Sequence, residues 1–173
     1  MNSKISLILI SHKSKKLVLK YVKDIYNKID IIIVDNSKDF SLEKEIKKNY
    51  PNIIFKFMNN NGYGAAINYG SKFVKTKYFI ISNPDLLGLN NNNIEIFYQS
   101  AITLNDNFSV LGPRFVNTNP KSIKQSDISV EISEMRFLSG ACMFFNKKNF
   151  DLLGGFDENI FLYFDENDFC KRS

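Results

Sequence analysis

Two short runs of β-branched and aliphatic residues, at positions 5–10 and 29–34, flank a segment in which Leu17, Tyr21 and Ile25 recur every fourth residue with Val18 and Val22 beside them. Runs apolar at nearly every position suit strands buried on both faces of a parallel sheet. The four-residue recurrence, with Ser14 as N-cap and Lys16, Lys20 and Lys23 turned outward, suits a helix over 14–28 with one covered face. The chain therefore opens as β-α-β. The pattern repeats: a helix over 41–49 stops before Pro51, a strand follows at 53–57, a helix at 63–75 and a strand at 78–82. Right-handed crossovers make this a doubly wound α/β sheet, mostly parallel, with a Rossmann-like nucleotide-binding half and a ligand crevice at the carboxyl ends of its strands.

The second half is less regular. It predicts a helix near 94–103, a strand around 108–115, a loop over 117–127, a strand within 137–145, a short helix at 147–153 and a helix starting at Asp165. At 173 residues the chain fits one domain. With 44% hydrophobic residues, 16 Phe and 8 Tyr it is too apolar for disorder, and 24% charged residues exclude an integral membrane protein.

A net charge of +5 invites a nucleic-acid reading, but 20 Lys face only 3 Arg, and Arg is the residue that reads bases bidentately. No nucleic-acid partner is expected. The charge is also polarised: residues 1–77 hold 15 Lys against 6 acids, and residues 151–173 hold 6 acids against 2 bases, a distribution suited to anion handling beside a carboxylate site. One histidine and two distant cysteines, Cys142 and Cys170, leave little for a thiolate or imidazole metal site and read as core thiols. The N-terminal apolar run is too short for a signal peptide, so a cytoplasmic location is expected.

Four segments carry candidate chemistry, three of them where a predicted strand ends. Asp35, within Val34-Asp35-Asn36-Ser37, is placed to accept hydrogen bonds from a nucleobase or ribose, against a plain turn as the alternative. Asn59 to Ala66, with Gly62 and Gly64, opens a helix whose free N–H groups suit a phosphate, although Ala65, Ala66 and Gly70 also suit tight helix–sheet packing. Ser82-Asn83-Pro84-Asp85 offers an amide and a carboxylate to a hard cation already bound to a diphosphate, against an Asx-Pro turn. Asp165, Glu166 and Asp168 sit beside Phe161, Tyr163 and Phe164, and apolar walls raise carboxyl pKa values toward those of a general base.

The ordered set VDNS, NNGYGAAINYG, SNPD, SGACM, LLGGFDE and FLYFDENDFCKR resembles the family 2 glycosyltransferases, rhamnosyltransferase-like members above all, over residues 5–172. The resemblance implies the A-type glycosyltransferase fold and inverting transfer from a nucleoside-diphosphate sugar, dTDP-rhamnose or a UDP-sugar, to a hydroxyl of a glycan or lipid-linked glycan acceptor in surface-polysaccharide synthesis. It implies that Asp35 contacts the base, that Ser11 and His12 line the nucleotide pocket, and that Asp85 binds Mg²⁺ or Mn²⁺. Asn60, Gly62 and Asn68 would lie along the nucleotide and sugar with Asn83, Gly140 and Ala141 facing the donor, while Asp165 and Glu166 supply the base, Glu166 by position.

Three departures matter. Asn83 replaces the first acid of the usual Asp-x-Asp and predicts weaker metal binding; the usual Glu-Asp pair appears as Asp165-Glu166; and the chain stops at Ser173, which predicts a C-terminally incomplete domain. These motivate an alternative, a catalytically inactive nucleotide-sugar-binding module. A sugar nucleotidylyltransferase ranks lower because its Gly-rich, basic phosphate loop is missing after Ile10. Lysines on the first helix predict peripheral association with the inner face of the cell membrane, against an ordinary solvated face.

Overall fold

The computed structural model describes residues 3–115 and 131–173. Six strands form one sheet in the order β3-β2-β1-β4-β6-β5. They are β1 (Ile5–Ser11), β2 (Asp30–Asp35), β3 (Ile54–Phe57), β4 (Tyr78–Ser82), β5 (Val110–Leu111) and β6 (Cys142–Asn146). The helices are α1 (Lys15–Ile25), α2 (Phe40–Asn49), α3 (Tyr63–Ser71), α4 (Asn91–Thr103), α5 (Lys147–Leu152) and α6 (Asp165–Arg172). β1 pairs in parallel with both β2 and β4, Ile8 lying opposite Ile32 on one side and Ile81 on the other. β6 runs antiparallel to β4 and to β5.

Alternation along the central strands explains the continuous apolar runs, because both faces are covered. Leu7, Leu9, Ile31, Ile33, Ile80 and Phe144 pack with Val22, Ile25, Leu42, Ile46 and Phe97 of α1, α2 and α4. Their neighbours Ile8, Ile32, Val34, Phe79, Ile81 and Phe145 pack on the opposite layer with Ala66 and Ile67 of α3, Phe150 of α5 and Phe169 of α6. Gly70 lets α3 approach closely: a Cβ there would lie 2.8 Å from Cγ2 of Ile8 and 3.1 Å from Cγ2 of Val34. The small residues of α3 thus serve helix–sheet packing.

The differences from the predicted elements are local. Leu17, expected on the covered face of α1, is 43% exposed, since Val18, Tyr21, Val22 and Ile25 already fill that face. Ser14 is the N-cap by position, but its hydroxyl makes no capping bond and meets the Ser11 hydroxyl at 3.3 Å. α3 ends at Ser71 and not at Lys75, the chain closing into i→i−3 bonds at Lys72, Phe73 and Val74. β5 keeps only two residues of the strand predicted over 108–115, because it pairs with β6 alone and Gly112-Pro113 follows. The strand expected within 137–145 begins only at Cys142, after Ser139 and Gly140. The loop predicted over 117–127 lies outside the described residues.

β1 to β3 step to one side of β1 and β4 lies on the other, so the sheet has its topological switch between β1 and β4. Open α/β sheets bind ligands at the carboxyl ends of strands flanking such a switch.

Candidate functional site

Above β1, β2 and β3 the connecting loops are tied side chain to side chain. His12 Nδ1 donates to Asn36 Oδ1 at 2.8 Å, and Asn36 Nδ2 donates to Asn60 Oδ1 at 3.0 Å. The backbone joins them too, Asn36 N bonding Ser11 O and Met58 N bonding Asp35 O. His12 and Asn60 are exposed along this shelf. Asn36 holds these two expected pocket residues together; it belongs to the VDNS motif, but nothing in the sequence marks it as their link.

Ser11 and Asp35 sit beneath the shelf, both fully buried. Asp35 Oδ1 accepts from the backbone N–H groups of Ser37 at 3.1 Å and Asp39 at 3.0 Å, and the Ser37 hydroxyl lies within 3.2 Å of both carboxylate oxygens. The turn reading of this motif thus describes what the carboxylate does in the ligand-free chain. A base contact would require Asp35 to share an oxygen already engaged in the turn.

At β4 the chemistry is denser. The Tyr63 hydroxyl donates to Asn83 Oδ1 at 3.0 Å, and Asn83 N bonds Ala141 O at 3.0 Å, linking the ends of β4 and β6 to α3. Burial first, and then the charges of Asp165, Cys142, Asp85 and Glu166 in that order, push the Tyr63 phenol well above its usual range. It therefore stays protonated and donating. The charges of all three carboxylates act on this one phenol. A tyrosine opening a helix reads as core, so the sequence alone does not single out Tyr63.

Asp165 is 4% exposed, and its Oδ2 has no hydrogen-bond partner among the described residues. Burial first, then the hydrogen bond and charge of Glu166, raise its pKa to about 6. Gly140 makes room for Glu166: a Cβ at 140 would stand 3.5 Å from the Glu166 Cβ and 3.7 Å from its Cδ. Beneath, Tyr21 donates to Ser82 Oγ at 2.7 Å, and burial pushes the Cys142 thiol up to about 12, leaving it an unreactive core group. Cys142 is buried and Cys170 half-buried, and neither is in a disulfide among the described residues.

Three of the expected site elements make bonds within the chain. The α3 N-terminus is not an open phosphate cradle, because Tyr63 N–H donates to Phe161 O at 3.0 Å. Gly62, at φ +108°, is required there: a Cβ would fall 2.5 Å from that same oxygen. The Asn68 amide is engaged within the chain: its Oδ1 accepts from Phe156 N at 2.9 Å, and its Nδ2 donates to Phe156 O at 2.9 Å and Glu158 Oε1 at 3.0 Å. Asp168 is committed to Arg172, 2.7 Å away, whose guanidinium also holds Leu153 O and Gly155 O. That pair braces α6 and is no part of the acid cluster around Tyr63.

Among the described residues no group of three or more His, Cys, Asp or Glu side chains is arranged to hold a metal ion. Asp85 offers one exposed carboxylate, and the Asn83 amide oxygen already accepts from Tyr63. This donor set fits Mg²⁺ or Mn²⁺ only as an ion held mainly by a substrate's phosphates and anchored by one protein carboxylate. Clefts of about 210 Å³ and 660 Å³ lie elsewhere, against α4 and at the opposite end of the sheet beside Lys77 and Asn146. No helix among the described residues is long and apolar enough to cross a membrane.

The model of the family described as Glycosyl transferase family 2 matches residues 6–161. The chain is 23% identical to the low-salt glycan biosynthesis hexosyltransferase Agl10 of Haloferax volcanii, an alignment covering 98% of this chain and 61% of that protein. The chain thus spans about three fifths of that relative's length. Among solved structures, S. aureus TarS 1-349 superposes at a TM-score of 0.69 with 18% identity, over 98% of this chain and 54% of that one. The mannosyltransferase PcManGT of Pyrobaculum calidifontis, solved with GDP-Man and Mn²⁺, gives 0.68 with 14% identity over 92% and 49%. These likenesses establish the A-type glycosyltransferase fold.

Proposed function

Because the chain belongs to glycosyl transferase family 2, we propose that it carries the donor-binding and proton-accepting parts of an inverting glycosyltransferase. The donor is a nucleoside-diphosphate sugar, dTDP-rhamnose or a UDP-sugar, and the acceptor is a hydroxyl of a glycan or lipid-linked glycan at the cytoplasmic face of the membrane. The observation that supports the reading is the buried Asp165 beside Glu166, near the Tyr63 hydroxyl that donates to Asn83 at the end of β4, by the switch between β1 and β4. TarS has been solved with UDP and with UDP-GlcNAc, which supports a nucleotide-sugar ligand for this fold.

The base and ribose lie on the His12–Asn36–Asn60 shelf, and the diphosphate runs toward Asp85. The acceptor oxygen attacks the anomeric carbon as the bond to the diphosphate breaks, the leaving group keeping the electron pair. Glu166 takes the hydroxyl proton, because Asp165 is buried beneath it and Glu166 stands beside Gly140, where the donor sugar would lie. Asp165 and Tyr63 hold the local charge and orientation. A divalent ion at Asp85, when bound, neutralises charge developing on the diphosphate.

Glu166→Gln should lower nucleoside-diphosphate release from the donor by roughly 10²–10⁴-fold, the range for loss of a positioned base. UDP or dTDP affinity should stay within twofold of wild type, a difference of ~0.4 kcal/mol or less. Turnover equal to wild type would remove Glu166 from this role. The second reading, a binding module without activity, is favoured by the single carboxylate at Asp85, and nucleotide binding without turnover in the wild-type chain would select it. Sedimentation with anionic vesicles that fails to weaken with salt would refute membrane contact through the exposed Lys16, Lys20 and Lys23.

A further inference from the structure

Asp85 is exposed on a tight turn, so its place is set by the backbone that carries it. Leu86 N donates to Asn83 O at 3.1 Å, closing a turn with Pro84 and Asp85 at its two central positions. Asn83 is the fixed base of that turn. Its N–H donates to Ala141 O, its Oδ1 accepts from Tyr63, and its carbonyl accepts a second bond, from the Ser82 hydroxyl at 3.2 Å. The Ser82 oxygen accepts in its turn from the Tyr21 hydroxyl at 2.7 Å. The bonds thus run from α1, through the end of β4, to the turn that presents Asp85. Two tyrosines reach Asn83 from opposite layers of the sheet, Tyr63 from α3 and Tyr21, through Ser82, from α1.

The Tyr21–Ser82 pair is not what packing alone would select. Tyr21 is 7% exposed and Ser82 1%, on the layer that holds Val18, Val22, Ile80 and Phe144. Two apolar side chains of the same shape would serve nearly as well there, because a buried hydroxyl pair only replaces bonds that each group made to water. What the pair supplies is direction. By accepting from Tyr21, the Ser82 oxygen keeps its one proton to donate, and that proton lies on the Asn83 carbonyl. Burial pushes the Tyr21 phenol well above its usual range, so it remains a donor. A cation held by one protein carboxylate has no second protein ligand to correct that carboxylate's position, which makes the groups behind the carboxylate decisive.

We propose that Tyr21 is a positioning residue: acting through Ser82, it fixes the turn over residues 83–86 so that Asp85 is held for a divalent ion on the diphosphate of a bound nucleotide. The assignment rests on the glycosyltransferase reading above, and it adds to that site a residue from the far layer of the sheet.

The test compares Tyr21→Phe with Tyr78→Phe. Tyr78 begins the strand that Ser82 ends, is also buried, and donates its hydroxyl to Asp106 at the opposite end of the sheet. Each variant therefore loses one buried tyrosine hydroxyl, and melting curves show that each is folded. In the ligand-free chain, amide hydrogen exchange at Leu86, followed by NMR, should quicken at least about threefold in Tyr21→Phe and keep its wild-type rate in Tyr78→Phe. The second measurement is Mn²⁺ affinity by electron paramagnetic resonance, at saturation with whichever of UDP, GDP and dTDP binds best. It should weaken about three- to tenfold in Tyr21→Phe, the range of one hydrogen bond, while nucleotide affinity without metal is unchanged. Ser82→Ala should reproduce both effects, and the double variant should be no worse than either single one.

Either measurement at its wild-type value in Tyr21→Phe, the same changes in Tyr78→Phe, or additive losses in the double variant overturn the proposal. Weaker nucleotide binding without metal in Tyr21→Phe overturns it too, since the damage would then not be confined to the turn. Wild type that binds a nucleotide but takes up no Mn²⁺ with it overturns the proposal and leaves the nucleotide-sugar reading standing. Wild type that binds none of the three nucleotides refutes that reading instead.

Discussion

Replacing Asp165 with Asn should stabilise the chain, and by an amount that depends on pH. The carboxyl is 4% exposed, leaves Oδ2 without a partner and lies against Glu166, which together raise its pKa from 3.8 to about 6. An acid whose folded pKa is raised binds its proton more tightly in the native state, so folding is penalised once the pH is high enough to ionise it. The penalty is absent well below 3.8, grows between 3.8 and about 6, and is constant above. A carboxyl raised that far costs the fold about 3 kcal/mol near pH 7.5, falling to about 1 kcal/mol near pH 4.5. Asn reproduces the protonated acid, with the same shape, no charge and an N–H for Glu166. For a domain of this size the melting temperature should rise by about 6–12 °C near pH 7.5 but only about 2–4 °C near pH 4.5. Differential scanning calorimetry at the two pH values measures both. Equal shifts, or a lower melting temperature near pH 7.5, would show that Asp165 is not held against its charge.

Gly62→Ala forces a Cβ to within 2.5 Å of the Phe161 carbonyl at φ +108°, and the contact atom is backbone, which has little room to yield. A loss of about 2 kcal/mol or more is expected in urea denaturation, together with earlier proteolysis after Phe161, and wild-type resistance would refute the pinning. Asn68→Ala removes both amide bonds to Phe156 and should cost about 2–3 kcal/mol without changing nucleotide affinity. A tenfold weaker UDP affinity in folded Asn68→Ala protein would restore Asn68 to the ligand. Tyr63→Phe strands the Asn83 amide oxygen and should cost about 1 kcal/mol in the same denaturation assay.

The sheet is readable in the sequence because burial on both faces favours apolar side chains: apart from Ser6, the polar residues of β1, β2 and β4 stand at strand ends, and the runs between them are aliphatic or aromatic. The helices of the first half are readable from their spacing, although spacing cannot say that Leu17 falls just outside the covered stripe. The site is readable only by position. A carboxylate at a strand end is visible in the sequence, but whether its oxygens are free is decided by partners elsewhere. For Asp35 those partners lie two and four residues on, near enough for the motif itself to suggest a turn. For Asn68 they lie 88 residues on, with no local sign that the amide would be spent on backbone. The attachment of Phe161 to α3 is hidden for the same reason, since Phe161 contributes a carbonyl and not a side chain.

Asn83 gains a physical account from the same geometry. The Tyr63 hydroxyl, crowded by the charges of Asp165, Asp85 and Glu166, must donate somewhere, and Asn83 Oδ1 is the acceptor it has. A carboxylate at that position would accept equally well but would add a fourth negative charge to a cluster in which Asp165 already resists ionising. The amide accepts the bond without the charge, so the cluster keeps its tyrosine anchored and limits its own repulsion. A divalent ion proposed at Asp85 would therefore meet a single protein carboxylate, and its affinity would come largely from the phosphates of a bound nucleotide. Metal and donor should therefore bind together or hardly at all: Mn²⁺ titrated alone should show little affinity, and UDP should supply most of it.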